Sequence, residues 1–267
     1  MAAAPPRAPA KRPAPRPPVR AEASVFGRYL RETRAPLAAA ALTLPLLALH
    51  GFGSLLADEV RNGADLVSVS LSGAFALAGL HGALPWYVFY ALVATIQVGV
   101  TLWLRHKGQL SPRWLLPFLI ECASYAIIAG VISGLVTAHL LDAVHRTLAT
   151  TAETDALADV GLIDAVLVSC GAGFHEELVF RAGLIAGVAR LRFGSGWRER
   201  RLGVAVLLLG SAVVFAWAHH LVEPFAIGAF VFRTVMGMVF GGLFLARGFA
   251  VAAWTHTLYD IWVLTMR

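Results

Sequence analysis

Charge is what this sequence has least of. Of its 267 residues only 14% are Asp, Glu, Lys or Arg, against 58% hydrophobic, and the mean hydropathy is +0.71. A soluble domain carries about 25% charged residues. Too few are present here to cover a water-facing surface, and there is enough apolar sequence for several membrane spans. Cysteine is nearly missing: Cys122 and Cys170 both lie inside apolar stretches and give no disulfide framework. A basic stripe interleaved with aromatic residues, the mark of a nucleic-acid surface, is also lacking despite the net charge of +6. Eight of the 22 Lys and Arg residues fall in the first 34 positions, and most others sit in short loops between apolar runs. That is the distribution produced by the positive-inside rule. No nucleic-acid partner is expected; the lipid bilayer is.

The amino-terminal segment, residues 1 to about 34, is rich in Ala, Pro and Arg, with eight of the 13 prolines between Pro5 and Pro36. Proline at that density predicts a disordered cytoplasmic tail rather than a signal peptide, with basic residues suited to anionic head groups. Residues 35–267 read as one integral membrane domain. Seven apolar segments are candidate spans: about 36–57, 86–104, 114–141, 161–189, 202–219, 225–246 and 249–266. The shorter run 66–82, interrupted by Ser68, Ser70 and Ser72, is a candidate eighth, read as re-entrant or interfacial. Loop charge alternates in sign: Asp58-Glu59 acidic, Arg105 to Arg113 basic, Glu153, Asp155 and Asp159 acidic, Arg190 to Arg201 basic. Seven spans with a cytoplasmic amino terminus put every basic loop inside. The expected fold is therefore an all-α, polytopic transmembrane helix bundle of about seven or eight spans in the cell membrane.

Ionisable residues inside a span cost several kcal/mol unless paired or facing a polar cavity, which makes them functional candidates. Most lie in the last 100 residues, in three groups. In the first, Glu177 and Arg181 are four apart and can pair on one helix face. Glu176 points about 100° away, with no basic residue on its helix to neutralise it. The second group is Phe215 with His219, followed by His220; the third is His256 with Asp260, again four apart. Each group alone also fits a packing role. Together they put Glu, His, and His with Asp on three helices, which is how a bundle assembles a polar site. Such a set supports hydrolysis: a carboxylate activates water while imidazoles or a metal stabilise the oxyanion. A transporter's proton relay, or a non-catalytic immunity scaffold, could use the same residues.

The series Glu176-Glu177-x-x-x-Arg181, Phe215-x-x-x-His219 and His256-x-x-x-Asp260 resembles, in order and separation, the three signature motifs of a known family. This is the CPBP family of CAAX and bacteriocin-processing proteases, the Abi or Rce1-like glutamic-type intramembrane proteases. The resemblance covers about residues 160–266, and the stretch from Arg233 through Gly237 and Gly241 to Arg247-Gly248 resembles the segment before the family's last motif. It implies a membrane-embedded peptidase that cuts near the carboxyl terminus of a membrane-associated protein or peptide substrate. Glu176 would be the general base, assisted by His219; His256 and residue 260 would line the oxyanion site; Glu177 and Arg181 would support them. The family's last motif more often ends in Asn, and an ionised Asp260 cannot donate a hydrogen bond to an oxyanion. No cofactor is expected, although Glu176, His219, His256 and Asp260 are a possible donor set for zinc or another divalent metal. The zincin pattern is absent, since Val179 stands where the second His would be. Glu121 reads as structural, Arg233, near the middle of its span, as a partner of a carboxylate such as Glu177 or of a backbone carbonyl, Gly237 and Gly241 as packing glycines, and His50 and His139 as interfacial or packing residues.

Overall fold

A computed structural model describes residues 24–56, 66–82, 84–145, 161–221 and 223–266; the acidic connections at 58–59 and 153–159 and most of the expected tail lie outside them. The described elements are all helical. In chain order they are α1 (Val25–Thr33), α2 (Pro36–Leu56), α3 (Leu66–Leu77), α4 (Leu84–Arg105), α5 (Leu115–His145), α6 (Leu162–Glu177), α7 (Val188–Phe193), α8 (Arg201–His219), α9 (Ile227–Arg247) and α10 (Phe249–Thr265). A π-helical segment, Leu178–Gly187, joins α6 to α7, so the chain stays helical from Leu162 to Phe193.

Residues 24–34 of the segment assigned to a tail are among those described, and they are largely helical. Between Pro18 and Pro36 there is no proline, and Val25–Thr33 form α1, capped by the Ser24 side chain, which accepts from the Gly27 amide. Pro36 then opens α2, where a missing N–H costs nothing, and α1 meets α2 at 65°.

Among the described residues four helices are long and apolar enough to cross a membrane, Leu84–Arg105, Pro112–Asp142, Arg201–His219 and Ile227–Arg247, and a fifth is added where the bent pair Val25–Thr33 and Pro36–Gly51 is counted as one span. Three charges, Glu176, Glu177 and Arg181, interrupt the apolar run of α6 and its extension, and α10 has only 17 residues. Helix α3, with 12 residues, rises about 18 Å against a hydrocarbon core of about 30 Å and cannot cross alone.

Helix α10 is the centre of the bundle. It packs most extensively on α6 and also touches α2, α5, α9 and the π segment, while α8 and α9 pair beside it and α4 lies on α2. Gly173 explains the closest of these approaches. A Cβ there would come within 2.1 Å of Thr257 Oγ1 and 2.7 Å of the Ala253 carbonyl oxygen, so only glycine lets α6 lie this close to α10. Gly237 and Gly241 do the same for α9 on α8, where added Cβ atoms would meet Ala212 at 3.0 Å and Leu208 at 2.3 Å. Between α9 and α10 the reversal takes one residue, Gly248, at φ +96. Beside that turn Glu121 of α5 accepts from Arg247 at 2.6 and 2.8 Å and from the Tyr29 hydroxyl, and Arg247 also donates to Thr33 Oγ1 at 3.0 Å. Glu121 is thus a clamp tying α1, α5 and α9.

Candidate active site

Glu176 and Glu177 end α6 one turn beyond Gly173, where the backbone has already been brought against α10. Both are fully buried, as is Arg181. The π-helical segment begins at the next residue; such widened turns recur at functional sites. Arg181 Nε lies 3.2 Å from Glu177 Oε2, and its Nη2 donates to the Gly237 carbonyl at 3.3 Å. Its guanidinium sits 4.6 Å over the Phe215 ring, with Phe180 and Phe240 at 5.9 and 5.8 Å. This aromatic surround excludes water from the ion pair and leaves the guanidinium with π faces as partners.

Phe215 is a hub. Its carbonyl is 2.9 Å from His219 Nδ1, its ring is 4.9 Å from the His219 ring and 6.0 Å from that of His256. Because a carbonyl can only accept, His219 Nδ1 carries the hydrogen and a neutral ring keeps its lone pair on Nε2. That Nε2 lies 3.9 Å from Glu176 Oε1. On the other side His256 Nε2 lies 3.8 Å from Glu176 Oε2. His256 is held from three directions: Nδ1 donates to Glu177 Oε1 at 3.0 Å, Asp260 Oδ2 is 3.4 Å from Nε2, and Phe240 stacks on the ring at 4.5 Å. The buried core of the site opens at Asp260, whose side chain is 21% exposed while Glu176 is at 0%.

All six residues singled out on the motifs, Glu176, Glu177, Arg181, His219, His256 and Asp260, therefore meet in one cluster. The structure adds a link that spacing along one helix cannot reveal: Glu177 holds Arg181 with one oxygen and His256 with the other. Arg233 has the carboxylate partner expected of it, Glu223 at 2.6 Å rather than Glu177, and lies in the second turn of α9, which starts at Ile227. Three further rings were not grouped from sequence. His50 meets His175 and Tyr90 edge-on at 5.2 and 5.6 Å between ring centres, and Tyr90 lies tilted to His175 at 5.9 Å, on the side of α6 that faces α2 and α4, while His50 Nδ1 bonds the Leu167 carbonyl at 2.9 Å. Each comes from a different helix, so no local spacing connects them.

A divalent metal needs at least three converging donors. Among the described residues no group of three His, Cys, Asp or Glu side chains is arranged to hold one.

Residues 158–262 match the model of the Rce1-like family, described as type II CAAX prenyl endopeptidase Rce1-like. No curated protein and no solved structure matches the chain. The matched segment runs from just before α6 into α10 and contains every residue of the cluster. Over residues 158–262 this multi-pass membrane protein is thus similar to the CAAX proteases, which are by class peptide hydrolases.

Proposed function

We propose that the cluster is the active site of an intramembrane glutamic peptidase that cuts membrane-anchored proteins or peptides near their carboxyl terminus. One observation carries this reading: the fully buried Glu176 carboxylate lies between the Nε2 atoms of His219 and His256, at 3.9 and 3.8 Å. Those separations are too long for direct hydrogen bonds, but a water to one side, about 2.8 Å from both Glu176 and His219, would bond to each. Glu176 takes a proton from that water as its oxygen attacks the scissile carbonyl carbon, and returns it to the leaving amine nitrogen as the C–N bond breaks. His219 accepts the water's second hydrogen bond and orients the attack. His256, fixed by Glu177, directs Nε2 at the developing oxyanion, and residue 260 completes that side.

The proposed topology has seven spans in the cell membrane, with the amino terminus in the cytoplasm. It adds the continuous helix from Leu162 to Phe193 and α10 to the five spans above. Arg31 and Arg34, Arg105 to Lys107, and Arg190 to Arg201 then share the cytoplasmic face. In this orientation α8 and α10 run outward, so His219 and Asp260 lie toward the opposite face. That placement favours the carboxy-terminal anchor of an exported protein, or a bacteriocin-like peptide, over a prenylated cysteine held at the cytoplasmic leaflet.

Purified protein in lipid discs, offered a farnesylated CAAX peptide and an anchor-bearing peptide in parallel, tests both the chemistry and the substrate class. Glu176→Ala and, separately, His219→Ala should abolish cleavage of whichever peptide the wild type cuts, while the proteins keep their thermal transition. Chelator should leave the wild-type rate unchanged. Undiminished cleavage by Glu176→Ala overturns the assignment, and preferred cleavage of the farnesylated peptide overturns the substrate class alone.

A further inference from the structure

The end of the bundle away from the catalytic cluster holds a second polar feature. Arg247 lies fourteen residues along α9 from Arg233, about 21 Å of helix. Between it and α1 is a cavity of about 520 Å³ lined by Leu30, Arg31, Arg34, Ala35, Ala246 and Arg247. Arg31, Arg34 and Arg247 are the cations of its wall, and Arg198 lies outside that lining, joined to Arg34 through one shared acceptor. Arg34 Nη2, from the α1–α2 corner, and Arg198 Nη1, from the turn between α7 and α8, donate to one and the same acceptor, the Leu245 carbonyl, at 3.0 and 2.9 Å. Two guanidiniums on a single carbonyl oxygen bring like charges together that would otherwise separate.

Two of the carboxylates of this end are already engaged, which leaves Glu199, next to Arg198, as the further acid among the described residues. Glu121 takes Arg247. Glu32 accepts from the Ser111 amide at 2.9 Å and from Trp114 Nε1 at 2.8 Å. Arg31, Arg34 and Arg198 are thus in excess, and each guanidinium offers five donors, of which Arg34 and Arg198 each give one to Leu245. Burial first, and the positive charge of Arg34 second, lower the affinity of Arg198 for its proton; a bound anion would relieve that crowding. Planar forks converging from three directions suit a tetrahedral oxyanion better than a planar one. The face is also the one whose basic loops lie beside anionic head groups in the proposed topology.

We infer that this cavity is a binding site for a phosphate group, presented by an anionic lipid head group or as free phosphate. Arg34 and Arg198 clasp it while Leu245 holds their other ends in place, and Arg31 closes the outer side. Its occupation ties the α1–α2 corner to the α7–α8 turn, and with it the two halves of the chain.

Native mass spectrometry of the full chain, released from phosphatidylcholine discs doped with phosphatidylglycerol, reads the occupancy. Wild type should retain phosphatidylglycerol. The Arg34→Gln/Arg198→Gln double variant should retain roughly tenfold less, and Arg34→Lys/Arg198→Lys an intermediate amount, as a charge without the fork would give. Arg190→Gln/Arg192→Gln, on the same basic stretch but outside the cavity, should retain as much as wild type. Unchanged retention by the glutamine pair, or an equal loss in the Arg190/Arg192 control, overturns the site. In a second arm, inorganic phosphate is titrated against the lipid-loaded protein with chloride at matched ionic strength. Displacement by phosphate alone identifies free phosphate as the ligand, and retention of the lipid identifies the head group. A normal thermal transition in the variants separates loss of binding from loss of fold.

Discussion

Two carboxylates in this protein hold a buried arginine, and they are used differently. Glu121 takes Arg247 through both of its oxygens, at 2.6 and 2.8 Å, and a tyrosine hydroxyl adds to one of them. The pair is 15% and 10% exposed, at the end of the bundle where helices turn. Glu177 takes Arg181 with one oxygen only, at 3.2 Å and with both side chains sealed from solvent, and gives the other to His256. In the first pair the carboxylate is used up by structure. In the second, arginine fixes a carboxylate that in turn fixes an imidazole, and a neighbouring carboxylate, Glu176, is left facing two imidazoles. A buried ion pair alone does not mark a site; what marks it is the group beside the pair that has histidines where a guanidinium would be.

The largest expected effect follows from that. Glu176→Gln keeps the shape and removes the base, so cleavage per folded molecule should fall by about 10³-fold or more. The thermal transition should move little, because an amide is less costly to bury than a carboxylate. A variant that still cut at a tenth of the normal rate would show that the pairing with histidines is structural as well. Next comes Arg181→Leu. It leaves Glu177 charged and unpaired among Phe180, Phe215 and Phe240, and removal of one partner of a buried pair costs about 3–5 kcal/mol. The melting temperature should drop far more than for any change at Glu121. Stability within error of wild type would erase the distinction between the two pairs.

Gly173→Ala probes the scaffold below the second pair. Its Cβ would enter the space of Thr257 and the Ala253 carbonyl, so α6 must move away from α10, at about 1–3 kcal/mol. Because Glu176 and His256 ride on those two helices, and a shift of ~1 Å can cost about 10²-fold in rate, activity should fall by more than stability accounts for. A fall in stability with kcat preserved would place the glycine in packing alone. Glu121→Gln is the counterpart at the other end: it should lower stability by about 1 kcal/mol, discounted for partial exposure, and leave the turnover of folded protein unchanged.

The motifs were legible because each is a pair four residues apart on one helix, and helical geometry makes such residues neighbours whatever surrounds them. Glu177 with Arg181 is of this kind, and so is His256 with Asp260. The bond from Glu177 to His256 joins residues 79 positions apart, and Gly173 owes its importance to Thr257 on another helix. Neither has a period to read. Arg233 has a carboxylate partner, as a charge in a span requires, but that it is Glu223 depends on how the loop before α9 folds back, which no helical period gives. Helix α1 was hidden inside a segment whose composition is dominated by prolines that all precede it.

Asp260 tests the comparison most finely, because within the cluster it stands beside a histidine and still reaches solvent. At 3.4 Å from His256 Nε2 and 21% exposed, it is too far for a strong hydrogen bond, and His256 is already held through Nδ1 by Glu177 and across its face by Phe240. If those two contacts suffice to orient the ring, the charge at 260 is dispensable. Asp260→Asn would then replace an acceptor by an amide able to donate toward the oxyanion. Cleavage should be retained or raised, by less than about fivefold, with the melting temperature unchanged. A loss of about 10²-fold would instead show that His256 needs two carboxylates, one on each nitrogen, and that Asp260 works as Glu177 does: by holding an imidazole, on the wetter side of the same ring.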